Sequence, residues 1–299
     1  MRGPEDLEVL AADGWPLSMR RLPAAGEVRG AALLLPAMMV DRTSLDRPAG
    51  AGFASSLRAA GFEVFVTDFR GHGASGPGVE DGGDWDYDDL VRLDVPALVD
   101  GVRAAMPDAF LWVVGHSLGG HVSLAAAGTG VCEAPADGHL LLSSNVWLPS
   151  LEPSLARRAE KAASVAGLLS ATRLAGHFPS RRLRIGPADE ARRYIEDICR
   201  FWTTDRWTAR DGTDYLEAMR AVEGPVLSIV GAGDRLMAHP EGARRWVLRV
   251  PQADFRCLGR RTPDLGLVFD PGHMGLVTDE RSRPVWRWAA DRMVEAMGR

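Results

Sequence analysis

The stretch from Phe110 to Ala127 limits the fold more than any other part of the chain. Phe110-Leu111-Trp112-Val113-Val114 is an apolar run that stops at Gly115, and after Ser117 the residues turn small and helix-compatible. That pattern reads as a strand, a sharp turn and a helix. Ser117 sits at the turn, in the order Gly115-His116-Ser117-Leu118-Gly119. A serine on so tight a turn takes strained backbone angles, and the residues two places to either side must be nearly free of side chain for the backbone to pass. The hydroxyl is pushed into the open. The Leu118 amide, at the helix start, is aimed at any oxyanion forming beside it. Ser117 is the candidate nucleophile, and Leu118 supplies one backbone oxyanion donor.

Other apolar runs place this turn in a sheet. Ala31-Ala32-Leu33-Leu34-Leu35, Glu63 to Asp68, Gly138 to Leu142 with Ser143-Ser144-Asn145, and Pro225 to Val230 read as strands buried on both faces, with helical spacing between them. Leu7 to Leu10 and Leu17 to Leu22 read as an opening hairpin, Ser44 to Ala60 as a helix stopped by Gly61, and Pro284 to Met297 as the closing helix. Strands alternating with helices predict an α/β fold with a mostly parallel central sheet. Ligands gather beyond the carboxyl ends of such strands. The loop Pro36-Ala37-Met38-Met39-Val40 then faces Ser117, and a backbone amide there, Met38 or in its place Met39, is the second oxyanion donor.

From Trp147 to Val222 the strand pattern stops and helices with scattered aromatics replace it. This predicts a helical cap, residues 147–222, inserted between the sixth and seventh strands of a core formed by residues 1–146 and 223–299. Met39, His116, Trp147, Phe178 and Trp202 are the candidates for touching substrate.

The base and its acid follow in the last third of the chain. Asp234 stands just past a strand, behind Gly231 and Gly233, where an acid reaching a histidine is expected; the preceding strand ends in Ser143-Ser144-Asn145 without a carboxylate. His273, in Asp270-Pro271-Gly272-His273-Met274-Gly275, completes the order Ser, Asp, His. His72, between Gly71 and Gly73, precedes the serine and reads as serving turn structure or a neighbour's hydrogen bond rather than as the base. The acidic run from Asp81 to Asp89 reads as helix capping rather than a metal site. The glycine-rich loop 69–78 lacks the Lys-Ser/Thr ending of a phosphate-binding loop.

Composition removes several classes of partner. With 46% hydrophobic and 25% charged residues and a net charge of -5, the chain is that of a soluble globular protein without the basic footprint of a nucleic-acid binder. Three widely spaced cysteines, Cys132, Cys199 and Cys257, suit a reduced setting. The sequence offers no apolar signal core at Met1 to Asp6 and no membrane-length apolar run, so the cytoplasm is the expected location. No cofactor or metal is implied, the expected partner is a small acyl substrate, and the oligomeric state is open.

On Gly115-His116-Ser117-Leu118-Gly119-Gly120, Asp68-Phe69-Arg70-Gly71-His72-Gly73-Ala74-Ser75, Gly231-Ala232-Gly233-Asp234 and Gly272-His273-Met274-Gly275, the chain resembles the serine-type α/β-hydrolases, in a bacterial branch similar to lysophospholipases and esterases. The resemblance implies Ser117 as nucleophile, His273 as base, Asp234 as its orienting acid, and Met38 with Leu118 as oxyanion donors. Many members carry His-Gly where this chain has Pro36-Ala37. The implied activity is hydrolysis of a carboxylic ester, or related acyl bond, of a small, mainly apolar substrate. An acyltransferase or thioesterase with the same triad and a non-catalytic binding protein on this scaffold are the alternatives. Dehalogenases and epoxide hydrolases of the fold generally use a carboxylate nucleophile, and Ser117 argues against that chemistry.

Overall fold

The computed structural model describes residues 3–298. In chain order, the sheet strands and longer helices are β1 (Glu5–Leu10), β2 (Pro16–Leu22), β3 (Gly30–Leu35), α1 (Phe53–Ala59), β4 (Phe62–Thr67), α2 (Val95–Ala105), β5 (Leu111–His116), α3 (Leu118–Thr129), β6 (Gly138–Leu142), α4 (Leu155–Ala175), α5 (Arg192–Thr204), β7 (Val226–Gly231), α6 (Pro240–Val247), β8 (Ala253–Leu258) and α7 (Arg283–Met297). The strands form one eight-stranded sheet in the order β1-β2-β4-β3-β5-β6-β7-β8. β1 and β2 run antiparallel, as does β2 against β4, and the remaining pairs are parallel.

The all-apolar strands behave as a doubly covered sheet requires. In β3, Ala31, Leu33 and Leu35 enter one hydrophobic cluster, which extends to α2, α3 and α5; Ala32 and Leu34 enter the other, which joins α1 and α7. Trp286 of α7 sits edge-on to Phe53 of α1 and donates its indole N–H to the Leu276 carbonyl. Together these contacts close the second face.

Two helical segments depart from a simple helix. The helix predicted from Ser44 to Ala60 is broken: a 3-10 turn, Arg42–Asp46, is separated from α1 by a loop. Pro48 brings no amide, and the Asp46 carboxylate accepts the amides of Gly50, Gly52 and Ser55, so a side chain holds the backbone that a helix ladder would have held. The helix after the acidic run begins at Tyr87, capped by Asp86 and Asp89 in a reciprocal box, and passes through a π-helical turn, Leu90–Asp94, before α2. Asp94 leaves that turn to receive the Arg70 amide and guanidinium, both buried, tying the glycine-rich loop to the helix.

Between β6 and β7 the chain runs through α4, α5 and short helical turns, with only isolated bridges such as Phe178 to Glu190. This segment lies over the carboxyl end of β5, where Ser117 is.

Candidate active site

Ser117 follows β5 directly and has φ 51° and ψ -111°, the strained conformation that its spacing requires. Its flanking glycines are demanded by close backbone approach. A Cβ at Gly115 would fall 2.2 Å from the Gly120 nitrogen, and one at Gly119 would fall 2.4 Å from the Leu35 carbonyl oxygen. The Gly119 amide, freed from the helix ladder, donates to the Pro36 carbonyl at 3.1 Å and so ties the helix start to the loop after β3.

His273 lies between two partners. Its Nδ1 is 2.7 Å from Asp234 Oδ2 and its Nε2 is 2.9 Å from Ser117 Oγ. Asp234 is buried, and its other oxygen accepts the Ala238 amide at 3.0 Å, which fixes the carboxylate plane. The turn carrying Asp234 lies so close to the His273 loop that a Cβ at Gly231 or Gly233 would meet the carbonyl of Pro271 or Asp270. A carbonyl oxygen only accepts, so His116 Nε2 donates to the His273 carbonyl, at 3.1 Å. Burial, with the neighbouring His273, pushes the His116 pKa down to about 3 and keeps that ring neutral beneath the site.

Among the described residues, neither the Leu118 nor the Met38 amide has a hydrogen-bond partner, and both residues border the same cavity as Ser117. The Met39 amide is occupied: Glu190 Oε1, reaching in from the helical segment, accepts it at 2.6 Å. The same oxygen lies 3.2 Å from His72 Nε2, while His72 Nδ1 is bonded to the Arg70 carbonyl. His72 is thus buried in a loop contact, away from Ser117. Burial opposes its charged form, but the adjacent Glu190 carboxylate outweighs that and raises its pKa to about 9.

The cavity at Ser117 has a volume of about 70 Å³, and it is mostly apolar. Of the predicted substrate contacts, Trp147 lines it. Met39, His116, Phe178 and Trp202 do not: Met39 is packed in the hydrophobic core, His116 lies under His273, Phe178 is paired through its backbone with Glu190, and Trp202 stands edge-on to Trp147. The sequence reasoning missed Tyr194, Ile198 and Phe201 of α5, which share one wall at the i, i+4, i+7 spacing of a single helix face. It also missed His121, four residues beyond Ser117 on α3. A larger opening of about 380 Å³, lined by Cys132, Asp137 and His139, does not reach Ser117.

A family model described as serine aminopeptidase, S33, matches residues 49–258, more than two thirds of the chain. The chain belongs to this hydrolase family. The S33 chain is also 30% identical over 137 residues to triacylglycerol lipase 2 of Arabidopsis thaliana, a match covering 41% of this chain and 32% of the lipase, about a third of its length. Its fold is that of an esterase from Pyrococcus furiosus, with a TM-score of 0.64 at 15% identity over 98% of this chain and 90% of that one. An α/β-hydrolase from Penicillium sp. sh18, GrgF, gives 0.66 at 16% identity with both chains fully covered. Among the described residues of the S33 chain, no helix is long and apolar enough to cross a membrane.

Proposed function

We propose that the chain hydrolyses a carboxylic ester, or a related acyl bond, of a small and mainly apolar substrate, through Ser117, His273 and Asp234. The reading is carried by the His273 ring, bonded to Asp234 at 2.7 Å and to Ser117 at 2.9 Å. In that arrangement His273 Nε2 takes the Ser117 proton as Oγ bonds to the acyl carbon, and Asp234 holds the tautomer and stabilises the imidazolium. The oxyanion is met by the amides of Leu118 and Met38. When the tetrahedral species collapses, the carbon–oxygen bond to the alcohol breaks and His273 returns the proton to the departing oxygen. Water, deprotonated by the same ring, then attacks the acyl-serine; release of the acid restores the Ser117 hydroxyl.

Residues 147–222 act as a cap. The apolar walls supplied by Leu168, Ile198 and Phe201 exclude bulk water from the reacting carbonyl, which strengthens the oxyanion bonds. Similarity to an esterase fold and to a stretch of a triacylglycerol lipase supports an acyl ester over an amide. A panel of p-nitrophenyl esters of rising chain length tests the reading. Wild type is expected to turn over at least the shorter members, and Ser117→Ala, folded as judged by circular dichroism, to lose about a thousandfold or more in kcat. Equal turnover by the two proteins contradicts it.

A further inference from the structure

His121 occupies the same helix face as Ser117, one turn along α3, and lines the same cavity. Its hydrogen bonds determine which ring nitrogen carries the proton. Trp207 Nε1, a donor only, gives its hydrogen to the Tyr87 hydroxyl at 3.1 Å, and that hydroxyl is 2.8 Å from His121 Nδ1. With its oxygen accepting from Trp207, the hydroxyl has its own proton left for His121 Nδ1. Tyr87 is fully buried and stacked on the His121 ring, so a phenol proton without an acceptor would be costly. Burial also pushes the His121 pKa down to about 3, and the neutral ring then carries its hydrogen on Nε2. Among the described residues this Nε2 has no hydrogen-bond partner, and it is not one of the sealed-in polar atoms. The cavity is where the ring has its remaining exposure.

Buried polar groups in native proteins are nearly always paired, and an unpaired imidazole N–H facing a mostly apolar cavity is placed to meet an acceptor on a bound ligand. The cavity takes the acyl side of the substrate. It is lined by Ser117, Leu118 and Met38 but not by His273, and the departing alcohol must lie against His273 to receive its proton.

We infer that His121 presents its Nε2–H to the bound acyl group, and that the chain selects acyl groups carrying an oxygen acceptor, as an ether, keto or hydroxy substituent, a few atoms from the scissile carbonyl. This rests on the acyl-transfer reading of Ser117 and narrows its substrate class. A plain alkyl chain leaves the imidazole N–H unpaired in an apolar wall; an oxygenated chain of the same length does not.

The test compares p-nitrophenyl alkanoates with esters of equal length bearing one ether or keto oxygen at successive positions, each rate divided by that ester's spontaneous hydrolysis rate. For wild type, the best oxygenated ester is expected to exceed its alkyl partner in kcat/KM by about tenfold or more, the worth of one buried hydrogen bond. In His121→Phe that ratio is expected to fall to near one. Tyr87→Phe, which removes the proton donor to Nδ1, is expected to lower the ratio in part. Histidine 15N spectra of the full chain give a reading independent of turnover: the resonance lost in His121→Phe should report a neutral ring protonated at Nε2 between pH 5 and 8. Turnover of both ester classes with a ratio near one at every oxygen position overturns the inference and leaves the serine mechanism standing. A His121 ring protonated at Nδ1 overturns it as well. Failure of wild type to turn over any ester removes the serine reading and this inference with it.

Discussion

At the scale of single residues, the site depends on groups that admit little change. On the proposed mechanism, neutralising Asp234 while keeping its shape, Asp234→Asn, is expected to lower kcat by about 10⁴-fold, because the amide favours the wrong His273 tautomer. Ester turnover of the purified variant checks this, and a loss of tenfold or less would show that His273 does not depend on Asp234. Gly119→Ala places a methyl group 2.4 Å from a backbone carbonyl that has no room to move. A loss of about 2 kcal/mol or more is expected in urea unfolding. Ser117, its glycines and Asp234 were candidates because their spacing answers to backbone geometry close by in the chain, and His273 because it comes last in the order Ser, Asp, His. His121 was not. It is bonded to Tyr87, 34 residues away, which is in turn bonded to Trp207, and only the folded chain brings the three rings together.

At the scale of elements, Glu190 is the link between the helical segment and the loops of the sheet. Its carboxylate, almost fully buried, receives the Met39 amide and faces His72. Glu190→Ala leaves a buried imidazolium and an amide unpaired, and is expected to cost about 3–5 kcal/mol of stability at pH 6. Folding raises the His72 pKa from 6.5 to about 9. Its contribution is therefore complete below about pH 6.5 and is lost as the pH rises through about 9. The destabilisation by Glu190→Ala should shrink between pH 6 and pH 10; denaturant midpoints unchanged in their difference across that range would contradict the pairing. Of this arrangement the sequence yielded only that His72 serves its turn or a neighbour's hydrogen bond, since the carboxylate comes from 118 residues away. The break between Ser44 and Ala60 escaped for a related reason: the helical spacing was present, but the Asp46 side chain captured the amides that a helix needs. Lys161, the chain's one lysine, is another such group, buried against Glu152 and lying over the Trp147 ring that walls the cavity.

At the scale of the whole molecule, the sheet was legible because its central strands are apolar on both faces, and such runs have few other places to go. The same directness is missing over residues 147–222, where helical periodicity shows that helices form but not which faces turn toward Ser117. The resulting cavity at Ser117 is small, about 70 Å³. With the helical segment in this position, kcat/KM across unbranched acyl esters should peak at short chains and fall beyond them, and a maximum at long chains would show that the segment moves aside. The central claim is that Ser117 is an activated nucleophile, and intact-protein mass after reaction with a fluorophosphonate tests it most directly. One adduct is expected on the wild-type chain and none on Ser117→Ala; an unmodified wild type, or equal labelling of both proteins, would contradict the claim.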